Sequence, residues 1–399
     1  MEGLYKKHDQ YMQVTPMEMV RDAMDDFNWD ARLIAVVGAR GVGKSTLIRQ
    51  YIKKNYAAYD RSALYCSLDS VYFTTHSLVD LAERFVMNGG TRLVLDEIHK
   101  YPHWSREVKE IYDLYPQLRI VISGSSLLQI LNAESDLSRR CLRYTLRGLS
   151  FREFLRFYKG IDIARRDLSS LLSAPADLCA EVNEKCRPVK FFKEYLQYGY
   201  YPFYLEGGED YYTRIEQVVD FVVSVELPLL RNVNPANVRK VKQLLGVVAS
   251  STPFELDASK LARAIGVGRD TVVEYIGHLA DAGLLNTLYS ESRSIGRLSR
   301  PDKIYLENAN LLHALSFSEV LVGTARETFV LSQLRDAHEV EYSKAAGDFR
   351  VDGRYTFEVG GRDKGFSQIA SIDNSYVLAD DIETPLHRKL PLWIIGFLY

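Results

Sequence analysis

Residues 33–51 read LIAVVGARGVGKSTLIRQY. The first five, Leu33 to Val37, are uninterrupted apolar and predict a buried strand, while Thr46 onward has the apolar spacing of a helix. Between them stands Gly38-Ala39-Arg40-Gly41-Val42-Gly43-Lys44-Ser45. Glycines at this spacing let the backbone curl around an anion, and the exposed amides together with the helix N-terminus supply partial positive charge. The expectation is that Gly38, Ala39, Arg40, Gly41, Val42, Gly43, Lys44, Ser45 and Thr46 wrap a chain of phosphates. Lys44 would reach the terminal phosphates and the Ser45 hydroxyl would ligate magnesium. A glycine turn without a ligand is the bland alternative, and the strand before it and helix after it weigh against that.

A second strand, Arg92-Leu93-Val94-Leu95, ends in two acids, Asp96 and Glu97. Carboxylates at the C-terminal end of a strand lie where open α/β sheets bind ligands. Asp96 suits a magnesium ion held mainly through water, and Glu97 suits a base that polarises a water for attack on the γ-phosphate. An ordinary strand-end ion pair is the competing account. The strand-like runs LIAVV, ALYCSL, RLVLD and RIVISG alternate with helical patterns from Arg32 to about Thr145, which predicts a mainly parallel sheet covered by helices. RIVISG leads into Ser123-Gly124-Ser125-Ser126, where Ser123 or Ser125 could orient the attacking water; Ser125 is the catalytic candidate. The run LSRRCLR offers Arg139, Arg140 and Arg143, of which Arg140 is taken as the guanidinium that reaches the γ-phosphate.

These features resemble one group of bacterial and archaeal AAA-type P-loop ATPases that carry a C-terminal domain of unknown function. The resemblance rests on the phosphate loop, Leu-Val-Leu-Asp-Glu-Ile at 93–98, the Ser-Gly-Ser-Ser turn and Leu-Ser-Phe-Arg-Glu-Phe at 149–154. It implies ATP and Mg2+ as cofactors, and an α/β ATPase core with a parallel sheet and helices on both faces. A helical segment, a winged helix and a small restriction-endonuclease-like α/β domain are implied to follow. His99 and Trp104 stand where the family pattern leads one to expect them. Trp104, Val108, Ile111 and Tyr115 share one helix face and read as core.

The remaining chain is read more coarsely. A length of 399 residues predicts several domains, taken as 1–148, 149–235, 236–306 and 307–399. An apolar fraction of 47% with 26% charged residues is that of a soluble globular protein, and a net charge of -2 leaves any polyanion site to a local patch. The start MEGLYKKHDQ has no signal-like apolar run, and Cys66, Cys141, Cys179 and Cys186 lack metal-ligand spacing, so a reducing cytoplasmic setting without membrane attachment is expected. Thr15-Pro16-Met17-Glu18 has the form of a capping box and predicts a helix starting there. The terminal LPLWIIGFLY, too short to span a bilayer, predicts a buried closing strand.

Residues 259–279, SKLARAIGVGRDTVVEYIGHL, predict a helix-turn-helix followed by a hairpin wing. Its second helix would present Arg269, Asp270, Glu274 and His278, two of them acids, whereas the wing carries Arg293, Arg297, Arg300 and Lys303 as a candidate phosphate-contacting strip. DNA contact and packing between domains both stay open. In the last segment Glu327, Asp348 and Glu358 occupy the acid positions of the implied nuclease scaffold, but Gly360 stands where that scaffold has lysine. Lys364 follows four residues later, with Gln368 beyond it, and cleavage chemistry is expected to be lost, leaving a vestigial site.

The functional expectation is a magnesium-dependent ATPase whose turnover moves the C-terminal domains, with DNA as candidate partner. The alternatives are a nucleotide-gated DNA-binding or interaction module with little turnover, and, third, an ATP-dependent nuclease. Oligomeric state is left open.

Overall fold

The computed structural model describes residues 1–124, 137, 139–231, 233–251, 257–290, 301–343 and 346–399. The chain divides into two compact units, Met1–Gly148 and Leu149–Tyr399. Among the described residues no helix is long and apolar enough to cross a membrane.

The first unit is built on five parallel strands, β1 (Leu33–Val37), β2 (Ala63–Ser67), β3 (Arg92–Asp96), β4 (Arg119–Ser123) and β5 (Leu142–Thr145), in the order β2-β3-β4-β1-β5. β1 and β3 are buried at every position, as expected of strands covered on both faces. The register sets Ser67 opposite Asp96, Leu95 opposite Ile122 and Val36 opposite Ser123. Because every strand runs the same way, the C-terminal ends of β1, β3 and β4 meet at one edge, and the phosphate loop, Asp96 and Ser123 meet with them. On the helix Trp104–Leu114, Trp104, Val108 and Ile111 are buried in the core, and Tyr115 packs against it.

Two local expectations are corrected in this unit. No helix starts at Thr15: a helix runs Glu2–Val14 and ends there, with Thr15 in extended conformation and its hydroxyl donating to the Tyr11 carbonyl at 2.7 Å. Pro16 disfavours helical backbone in the residue before it, so it closes one helix instead of opening another. The carbonyls of Pro16 and Met19 accept hydrogen bonds from the Gln50 amide at 2.8 and 2.9 Å. The second correction is β5, read only as part of an arginine-rich run. It is an edge strand in which Leu142, Arg143 and Thr145 are exposed, so it carries no apolar signature.

The second unit joins an aromatic helical segment to a C-terminal sheet through one hydrophobic core. Phe151, Phe154, Phe192 and Tyr195 share that core with Phe329, Phe357, Trp393 and Phe397, and the Phe192 and Phe329 rings meet edge-on at 4.7 Å. The sheet order is β12-β11-β10-β9-β8, where β8 is Val340–Tyr342, β9 Phe349–Val351, β10 Tyr355–Gly360, β11 Ser375–Ala379 and β12 Lys389–Pro391. β8, β9 and β10 pair antiparallel, and β10, β11 and β12 parallel. The closing strand is shorter than expected: Leu392–Phe397 leave the sheet as a fully buried 3-10 turn. An apolar run buried on all sides has no period to separate strand from helix. Between these parts lie the helices Val238–Ala249, Ala258–Ile265 and Arg269–Asp281. Gly266 turns between the last two at φ 67, and an antiparallel pair, β6 (Leu285–Leu288) and β7 (Lys303–Leu306), follows.

Candidate functional site

The loop after β1 depends on backbone that side chains resist. Gly38 has φ 146, and a Cβ there would lie 2.1 Å from the Leu146 carbonyl oxygen. Gly43, at φ 95, caps the helix Lys44–Asn55. Between them the chain bends tightly enough for the buried Lys44 Nζ to donate to the Gly38 and Ala39 carbonyls, both at 2.8 Å. A cation returned onto its own loop, a helix N-terminus and the hydroxyls of Ser45 and Thr46 form a donor set that suits a polyphosphate and its magnesium ion. The Arg21 guanidinium props this loop from behind, donating to the carbonyls of Val42 at 3.4 Å, Arg147 at 2.5 Å and Gly148 at 2.9 Å. Nothing in the local sequence marks Arg21 for this duty.

Asp96 is buried and held by three donors, two of them on neighbouring strands. Its carboxylate accepts from the Tyr65 hydroxyl of β2 at 2.5 Å, from the Ser123 hydroxyl of β4, and from the Glu97 backbone amide at 2.9 Å. Burial, then the Asp96 charge, push the Tyr65 phenol far above its ordinary pKa, so it remains a donor. Tyr65 is a site residue missed in the sequence, where it reads as one more apolar strand position. Glu97 turns the chain at φ 53, in the left-handed region. Its carboxylate Oε2 lies 3.3 Å from His99 Nε2. Burial, then the charges of Lys100, Arg40 and Lys44, lower the His99 pKa to about 4, against a weaker opposing effect of Asp96. Phosphate loop and acids therefore lie close enough to act on one imidazole.

Ser125 falls outside the described residues, as does Ser126. The Arg140 guanidinium meets the Asp113 carboxylate at 3.1 and 3.2 Å, and Arg143 is exposed on β5.

In the second unit Glu327 lies on the helix Val322–Leu334 and accepts from the Tyr305 hydroxyl at 2.9 Å, with Lys303 Nζ at 4.0 Å. Asp348 accepts from the Val359 amide at 2.8 Å. Glu358 is paired with Lys364 and, with the Gln368 amide turned to present its nitrogen, receives that group on both oxygens at 2.8 and 2.9 Å. Burial first, then Asp348 and Glu358, raise the Glu327 pKa to about 7. Burial also raises that of Glu358. Among the described residues no three His, Cys, Asp or Glu side chains are grouped to hold a metal ion. Of the expected basic wing, Arg293, Arg297 and Arg300 lie outside the described residues, while Lys303 also sits 4.7 Å from the centre of the Tyr342 ring. On the helix Arg269–Asp281, Glu274 and His278 approach to 3.4 Å.

With this geometry in view, residues 30–155 match the family model described as an AAA domain. That match and the glycine loop together support an AAA-type P-loop domain over this stretch. Residues 189–321 match a second model, described as a domain of unknown function (DUF8612). An uncharacterized protein of Methanocaldococcus jannaschii is 25% identical over 301 residues, covering 72% of this chain and 63% of that one. The chain thus spans less than two thirds of the relative it matches. Among solved structures, the Walker-type ATPase of Pyrococcus abyssi has a TM-score of 0.47 at 12% identity, covering 76% of this chain and 99% of that one. The Aeropyrum pernix ORC1 protein in complex with DNA has a TM-score of 0.30 at 14% identity, covering 79% and 91%. AMPPCP-bound DnaA from Aquifex aeolicus has a TM-score of 0.26 at 16% identity, covering 65% and 85%.

Proposed function

We propose that this AAA-type domain binds ATP with magnesium, hydrolyses it, and uses the turnover to move the second unit. The observation that carries the reading is the meeting of a lysine-tipped glycine loop with a buried, triply held Asp96 and its neighbour Glu97 at one sheet edge. Lys44 would exchange the Gly38 and Ala39 carbonyls for phosphate oxygens, a cation already desolvated and aimed. Magnesium, held through Ser45 and on the side of Asp96, would draw charge from the phosphate oxygens. Asp96 cannot wander, because Tyr65 and Ser123 hold it from the neighbouring strands. Glu97, reached by solvent at the strand end, would take the proton of the attacking water. Ser125 and Arg140 are proposed as water-orienting and charge-stabilising groups; Arg140 would have to leave Asp113 to serve.

The coupled task is proposed to involve DNA, on the strength of the helix-turn-helix Ala258–Asp281 and the antiparallel pair β6–β7 after it, an order like that of a winged helix. The four free cysteines suit a reducing, cytoplasmic setting.

Phosphate release by the parent, Lys44→Ala and Glu97→Gln, with and without duplex DNA, tests the reading. Lys44→Ala is expected to lose nucleotide binding. Glu97→Gln should keep binding and lose turnover by roughly 10²-fold or more. Equal hydrolysis by all three proteins would overturn the assignment. A Glu97→Gln protein with intact biological function would favour ATP as a gating ligand.

A further inference from the structure

Glu97 and His99 are the two sides of one left-handed turn. The buried Ile98 anchors that turn, and the 3-10 segment Ile98–Lys100 folds the histidine back toward the acid. The His99 side chain is 5% exposed, yet neither ring nitrogen has a hydrogen-bond partner among the described residues. A buried polar group left in that state is uncommon and costly, and it calls for an explanation. Glu97 Oε2 lies 3.3 Å from Nε2. This contact is close without being aligned as a hydrogen bond, which is how catalytic contacts often stand before substrate tightens them.

We propose that His99 is a positioning residue for Glu97, its imidazole N–H holding the carboxylate at the mouth of the phosphate loop in the orientation that activates water. The proposal rests on the reading of Glu97 as the base. The backbone argues for it: the left-handed Glu97 and the 3-10 turn that follows it bring residue 99 beside the carboxylate. The chemistry argues for it too. Burial and the neighbouring cations keep the ring neutral at physiological pH. A neutral donor orients a carboxylate without the full positive charge that would weaken it as a base. Lys100 or Arg40 in the same contact would orient Glu97 and weaken it together.

The experiment compares His99→Phe, which keeps an aromatic ring and removes both nitrogens, with His99→Gln, which returns an amide donor near the place of Nε2. Steady-state ATP hydrolysis and thermal melting are measured for both, for Glu97→Gln, and for the double variant Glu97→Gln/His99→Phe. His99→Phe is expected to lower kcat about 10-fold with KM for ATP unchanged, and His99→Gln to recover most of the loss. The double variant should be no slower than Glu97→Gln alone, because the histidine acts through that carboxylate. Parental kcat in His99→Phe overturns the proposal. So does a loss that Gln does not restore, or one that adds fully to Glu97→Gln. Should His99→Phe not fold, His99→Gln decides the matter: near-parental kcat supports the proposal and a 10-fold loss overturns it. If Glu97→Gln itself hydrolyses ATP normally, the reading of the base falls, and this proposal with it. A dead Glu97→Gln beside an unaffected His99→Phe removes the proposal alone.

Discussion

Lys364 holds the buried carboxylate of Glu358, although it follows that strand residue by six positions and two glycines. Gly360 makes the contact possible. A Cβ at position 360 would lie 2.6 to 2.8 Å from the Cγ, Cβ and Cδ atoms of Lys364. The glycine read as a missing lysine is the space through which a later lysine reaches the acid.

Gly360→Ala should therefore act like Lys364→Ala, evicting the amine from Glu358. Loss of one partner leaves a buried carboxylate without its cation, which costs about 3–5 kcal/mol in a fully buried pair. The Lys364 side chain is 33% exposed and Gln368 can still donate, so about 1–2 kcal/mol is expected. Glu358→Gln, which removes the charge itself, should cost less than either. Denaturant unfolding of the three variants checks the order.

Nuclease activity is expected to be absent. Lys364 and Gln368 occupy the Glu358 oxygens, and Tyr305 holds Glu327. Supercoiled plasmid incubated with the protein and magnesium or manganese should stay intact. Nicking that disappears in both Asp348→Ala and Glu358→Ala would reverse this conclusion.

Glu327 makes stability depend on pH. Its pKa is raised from 4.5 to about 7, chiefly by burial and then by the Asp348 charge. A raised folded-state value means that the protonated form is preferred in the fold. The contribution is therefore fully present below 4.5 and is lost as pH rises through about 7. Glu327→Gln should flatten the melting temperature between those two values and stand above the parent on the alkaline side.

Gly38→Ala combines a disfavoured φ of 146 with a Cβ 2.1 Å from a backbone oxygen, which cannot rotate away as a side chain can. A loss of about 3 kcal/mol or more is expected, together with loss of ATP binding. Calorimetry and nucleotide titration test both. A stable, nucleotide-binding Gly38→Ala protein would mean that the loop has a different conformation in solution.

Much of the first unit was legible because its signals are local. Leu33–Val37, the glycine spacing, the helix that follows it and the apolar face of Trp104, Val108 and Ile111 are each set within a few residues, by backbone freedom and periodicity. Local reading failed where chemistry and neighbourhood disagree. Thr15 has the residues of a cap but stands before a proline, and β5 has the composition of a charged loop but pairs with β1.

What the amino-acid order determined alone is therefore the glycine loop between strand and helix and the pair of acids at the end of β3. Tertiary structure decided who holds them: Tyr65 on Asp96 across 31 residues, Arg21 on Arg147 across 126, and His99 buried beside Glu97 without a partner for its nitrogens among the described residues. The reason is physical. A turn's conformation is limited by the residues inside it, whereas the partner of a buried polar atom is chosen by whichever strand or helix packs over it.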